Sequence, residues 1–166
     1  MSFSQILSAI KEKKFAPIYY LHGEESWFID KIIDALDADG SVMTASEAAF
    51  NRTLLYGADS NASQIVQSCR SFPVMAQYRL VLVKEAQRLN KNEWEKMLSY
   101  FENPVPSTVL ALAFKDRNSG LPKAAVAALK KKKGVDFLQD LDFGHFRVHS
   151  AHLWIEITQC ETQILA

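Results

Sequence analysis

Three short runs in this chain hold apolar or aromatic residues at successive positions, and they limit what it can fold into. PIYYLHG (17–23), YRLVLVKEA (78–86) and STVLALAF (107–114) are rich in β-branched, aromatic and aliphatic residues and are bounded by proline, glycine or polar residues. A strand with one wet face alternates apolar and polar positions. A run apolar at successive positions is covered on both faces, as in a parallel sheet between layers of helix. RTLLYG (52–57) and GVDFL (134–138) are further strand candidates.

Helical patterns lie between these runs. Phe3, Ile6, Leu7 and Ile10 repeat at helical spacing behind a Ser2 or Ser4 cap. Ser26 is expected to cap a helix whose buried stripe is Trp27, Ile29, Ile32, Ile33 and Leu36, stopped at Asp39-Gly40. Asp59 or Ser63 is expected to open the next, with Ile65, Val66 and Cys69 inward and Pro73 as its terminator. Trp94, Met97, Leu98 and Phe101 mark one face of another, closed by Asn103-Pro104. LPKAAVAALKKKKG is the last, with Pro122 in its first turn and Gly134 past its end. The stretch from Ser41 to Asn51, with VMTASEAAF (42–50) at its centre, reads equally as a helical turn or a loop. Strands alternating with helices give the fold class: an α/β three-layer sandwich with a mostly parallel sheet.

Composition narrows the function. The chain has 166 residues, 48% of them apolar, enough for one core without disulfides or metal. Its 19 basic and 19 acidic residues cancel, which argues against a polybasic nucleic-acid arm. Cys69 and Cys160 stand far apart in no metal-binding pattern, which suits a reducing compartment; the chain is expected to be cytoplasmic. Its first residues do not form a signal peptide, and no apolar run approaches the ~18 residues of a membrane span.

In parallel α/β folds, ligands bind beyond the carboxyl ends of the strands. The turn after the first strand reads His22-Gly23-Glu24-Glu25-Ser26. A phosphate-binding loop, G-x-x-x-x-G-K-[ST], needs backbone N–H groups around the phosphates and a lysine to neutralise charge. This turn has one glycine, no lysine and two carboxylates that would repel a polyphosphate, so no nucleotide cofactor is expected. His22 with Glu24 or Glu25 is a conceivable general-base pair for a small-molecule enzyme, but no nucleophile stands in a recognisable context. The ordinary reading is a strand-end histidine before an acidic helix start. Lys130 to Lys133 suit the negative end of a helix; a phosphate-binding DNA patch is the alternative.

The segment CRSFPVMAQYRLVLV (69–83) departs from the usual pattern. Between helix and strand it places Phe72, Pro73, Val74 and Met75 in a loop, where residues are normally polar. Proline stiffens that corner. Apolar residues displayed on it either plug the chain's own sheet edge or anchor in a partner's pocket, and spacing leaves both open.

At this loop the chain resembles the amino-terminal domain of the delta subunit of bacterial DNA polymerase III, a sliding-clamp loader component, in its Bacteroidetes-like form. The matching segments are PIYYLHGEESWFIDKIIDAL, FNRTLLYGADSNASQIVQSCRSFPVMAQYRLVLVKEAQRL and WEKMLSYFENPVPSTVLALAF, in that order, within roughly residues 3 to 137. The resemblance implies a degenerate P-loop ATPase-like fold (AAA+ domain I) lacking the phosphate-binding loop. It implies no catalysis by this chain itself, which would act within the DNA-directed DNA polymerase III holoenzyme. The implied partners are the sliding clamp (beta subunit), other clamp-loader subunits through domains beyond this one, and DNA only through the complex; no membrane is involved. By the resemblance, Val74 and Met75 match the hydrophobic tip that enters the clamp's peptide pocket and helps hold the ring open, with Phe72, Pro73 and Ala76 beside it. The family's usual tip is leucine followed by phenylalanine, so the pair here differs in size.

Family members continue into a lid-like domain and a helical collar, for which this chain has no room, so it is not expected to form a working loader alone. Residues 1–138 are expected to form the ATPase-like domain and 139–166 an appendage outside the resemblance. In the appendage His145, His149 and His152 fall at i, i+4 and i+7, with Glu156 and Cys160 following. On a helix they would share a face able to hold zinc or nickel, but Gly144 and the strand-like WIEIT oppose a continuous helix, and no metal is expected.

Overall fold

A computed structural model of the chain describes residues 2–23, 25–115, 125, 127 and 135–139. Five strands form one sheet: β1 (Ile18–His22), β2 (Arg52–Tyr56), β3 (Arg79–Lys84), β4 (Thr108–Phe114) and β5 (Val135–Gln139), in the order β2-β3-β4-β1-β5. Every pairing is parallel, with Tyr19 opposite Ala111, Val81 opposite Leu110 and Leu54 opposite Leu82. The helices are α1 (Phe3–Lys11), α2 (Ser26–Asp37), α3 (Ala45–Asn51), α4 (Ala62–Arg70), α5 (Lys91–Lys96) and α6 (Leu98–Glu102). Ala125 and Ala127, from the last helix expected, are helical.

The two-sided apolar runs have the explanation the sequence suggests. Successive side chains of a strand point to opposite faces. Tyr19, Leu21, Leu80, Leu82, Val109 and Ala111 pack on one face with Ile6 and Ile10 of α1 and Ile29, Ile32, Ile33 and Leu36 of α2. Ile18, Tyr20, Val81, Val83, Leu110, Leu112 and Phe114 pack on the other with Ile65, Cys69, Trp94, Met97, Tyr100 and Phe101. Trp94 is fully buried, its ring 5.3 Å from that of Phe114. Truncating such a residue to alanine costs about 3–5 kcal/mol.

Several element boundaries differ from expectation. Ser26 is the first residue of α2, and Glu25 holds the cap position without a side-chain hydrogen bond. Trp27 is not in the buried stripe: two residues place it about 200° around the helix from Ile29. It stands 36% exposed at the rim, edge-on to Phe28 at 5.0 Å, with the Lys31 ammonium 5.3 Å from its ring centre. α4 starts at Ala62 behind Asn61, whose side chain accepts from the Gln64 N–H, because Gly57–Asp59 first forms a separate 3-10 turn. It ends at Arg70, so Pro73 lies beyond the helix and does not terminate it. Val66 and Leu98 are only half-buried. The helix expected around Trp94 and Phe101 is two helices meeting at Met97. The undecided segment contains α3, begun by Thr44, whose N–H donates to the Glu47 carboxylate at 2.8 Å.

Candidate functional site

A parallel sheet has two unlike ends, and the sequence-identified residues divide between them. Residues 71–78 join α4 to β3 and therefore lie at the amino end of the strands. Asn51, the last residue of α3, stands immediately before β2 at the same end.

The loop displays its apolar side chains instead of burying them. Phe72 is 85% exposed, Val74 50% and Met75 95%, while Pro73 and Ala76 are half-buried. That exposure rules out a core plug made of Phe72 and Met75. Met75 has φ of 54°, in the left-handed region that an unbranched non-glycine residue adopts at a cost of about 1–3 kcal/mol.

This bend is held from beneath by one side chain. Asn51 is completely buried, and its Nδ2 donates to the carbonyls of Val74 (2.8 Å) and Glu47 (3.0 Å). Its Oδ1 accepts from the Val74 N–H at 2.6 Å. Both amide protons and the acceptor oxygen are thus used, as a buried polar group requires. The flanks are fixed as well. Thr108 Oγ1 donates to the Cys69 carbonyl at 2.8 Å, tying β4 to the end of α4. The Arg79 N–H donates to the Ser107 carbonyl at 2.9 Å, and its guanidinium donates to the Phe50 carbonyl (3.2 Å) and Thr53 Oγ1 (3.3 Å). Phe50 itself is largely exposed. Burial pushes the Cys69 thiol up to about 12, so it remains a neutral packing group at neutral pH.

Asn51 escapes sequence reasoning because its partner lies 23 positions away and a polar residue at a helix end is ordinarily solvated. The T-x-x-E pattern at Thr44 and Glu47 is the available signal for α3, which carries it.

The carboxyl end is built differently. His22 is 7% exposed at the end of β1, its ring centre 5.9 Å from that of Tyr20. Only three residues join β1 to α2, too few to wrap a phosphate as the eight-residue motif does. The Gly23 N–H donates to the Phe114 carbonyl at 3.4 Å, and Lys115 pairs with Asp30 at 2.7 Å. Gly57, just after β2, lies so close to the turn after β3 that a Cβ would stand 2.3 Å from the Glu85 carbonyl oxygen. Of the two proposed companions of His22, Glu25 holds the cap position of α2 and Glu24 lies outside the described residues, as do Lys130 to Lys133, His145, His149, His152, Glu156 and Cys160. Among the described residues, no group of three or more His, Cys, Asp or Glu side chains could hold a metal ion, and no helix is long and apolar enough to cross a membrane.

Comparison with known proteins agrees with this fold. The chain is 23% identical over 134 residues to DNA polymerase III subunit delta of Bacillus subtilis (strain 168), an alignment covering 76% of this chain and 38% of that protein. It therefore spans well under half the length of this relative. Among solved structures, the Bacillus subtilis DNA clamp loader delta protein (YqeN) superposes with a TM-score of 0.68 at 23% identity, covering 84% of this chain and 43% of that one. A DNA polymerase III gamma subunit-related protein of Thermotoga maritima superposes at 0.56 and 13% identity, covering 97% and 54%. The shared architecture is the parallel α/β sandwich expected from the alternation of strands and helices. The family model for the DNA polymerase III delta subunit matches residues 19–135, from within β1 to the first residue of β5, and the chain belongs to that family.

Proposed function

We propose that this chain is the clamp-binding part of a clamp-loader delta subunit, acting in the cytoplasm during DNA replication without hydrolysing ATP. Val74 and Met75, flanked by Phe72, Pro73 and Ala76, enter an apolar pocket of the sliding clamp and help to hold its ring open. The domain that does this runs from residue 1 through the end of β5, whose last residue Gln139 pairs with His22, and the appendage begins beyond it. Other loader subunits are engaged through domains beyond this one, and DNA only through the complex.

One observation carries this reading: three large apolar side chains stand exposed on a bend whose backbone is fixed by a buried amide. Apolar side chains displayed on a fixed support suit an interface anchor, because a preorganised loop loses less freedom on binding. Full burial of Val74 and Met75 would contribute about 3–6 kcal/mol before association costs. An enzyme centred on His22 finds less support, since that side chain is nearly sealed.

The test is surface plasmon resonance of the chain against its purified cognate clamp, with Val74→Ser/Met75→Ser beside it. The double variant should bind about a hundredfold more weakly while its thermal midpoint hardly moves. Unchanged affinity, or a parallel loss of stability, refutes the anchor role.

A further inference from the structure

We infer that Asn51 is the positioning residue of the clamp-binding loop, presetting its tip so that the partner meets a ready-made anchor; this rests on the function proposed above. Three adjacent residues are restricted, and two devices act on them. The Pro73 ring fixes φ. Val74 has both its N–H and its C=O bonded to the Asn51 amide, at 2.6 and 2.8 Å. Met75 sits in a left-handed conformation that an unrestrained loop would leave. Proline cannot hold Met75 there, because it constrains its own φ and the residue before it. The clasp on Val74 is the restraint next to Met75, and it comes from another element, α3.

Asn51 touches no partner. It acts by keeping Val74 and Met75 in the binding geometry before encounter. A loop that spends only a fraction of its time in that geometry has its apparent affinity reduced by that fraction. Being fully buried, Asn51 cannot be exchanged for the water that would otherwise satisfy Val74, so its loss frees the loop.

The test combines clamp binding with amide exchange measured by NMR. In the unmodified chain the Val74 N–H should exchange about a hundredfold more slowly than an unstructured amide. In Asn51→Leu that protection should vanish while the amides of Leu82 and Leu112 stay protected, and clamp affinity should fall about tenfold, mainly through slower association. Asn51→Asp keeps the size and the acceptor but not the donor, and should show the same affinity loss if the leucine variant does not fold. An unprotected Val74 amide in the unmodified chain overturns the inference without any variant. A chain that binds the clamp, needs Val74 and Met75, and ignores Asn51 overturns this inference alone. A chain that does not bind the clamp at all overturns the proposed function and this inference together.

Discussion

At the carboxyl end of the sheet backbone lies against backbone: Gly57 meets the Glu85 carbonyl, Gly23 donates to Phe114, and His22 is almost sealed. At the amino end the chain turns outward, with Phe72 and Met75 held in solvent on a bent loop. The first end is where parallel α/β folds bind ligands. Such sites need a concavity with convergent polar groups, and catalysis needs a nucleophile or base that substrate can reach. The second end displays exposed apolar side chains on a loop, which suit insertion into another molecule's pocket. Under the function proposed above, the sheet keeps its packing at one end and offers its apolar contact surface at the other. The support also differs: one end is closed by main-chain contact, and the other is held by a single amide side chain.

The largest expected effects lie at the tip, where the serine double variant should separate clamp affinity from stability, followed by the tenfold loss at Asn51. At the opposite end the effects should be on stability alone. Gly57→Ala forces a Cβ into the Glu85 carbonyl and should destabilise the fold by about 1–3 kcal/mol in urea denaturation, leaving the clamp affinity of the folded fraction unchanged. An affinity loss in folded Gly57→Ala would break the division between the ends. Met75→Gly sharpens it from within the loop: removing the side chain weakens clamp binding, while relief of the left-handed strain holds stability constant or raises it by up to about 1 kcal/mol. A drop in thermal midpoint would show Met75 packing on its own domain.

The smallest effect also belongs to the carboxyl end, where α4 and α5 begin. The Lys96 ammonium, and then the Ala62 N–H, hold the Glu93 carboxyl below its ordinary range. The folded value therefore lies under the unfolded one. Its contribution is present above the unfolded value and fades as pH falls through the folded value. Glu93→Gln should flatten that part of the acid limb of stability, measured by urea midpoints between neutral pH and about pH 3, with clamp binding at neutral pH untouched.

The strands were legible because burial on both faces leaves runs such as LVLV and VLALAF, which few other structures explain. The longer helices were legible, whereas α3 was undecided and helix edges were misjudged. The break at Met97 is hidden because its backbone stays near-helical (φ −86°, ψ −10°), so Trp94, Met97 and Phe101 keep their spacing across it. Trp27 was misplaced because size suggested burial where angular position did not allow it. The exposed loop could be found from apolar residues beside a proline. Its support could not, since hydrogen bonds from Asn51 to Val74 depend on where tertiary packing places α3, and local sequence carries no trace of that distance.

The left-handed backbone at Met75 also filters which residues can stand there. Isoleucine or valine would offer comparable grease, but branching at Cβ crowds this conformation far more than a straight stem does. The main chain thus screens variation at the tip independently of any partner, so a survey of related tips should find leucine, methionine and phenylalanine at this position well ahead of the branched aliphatics.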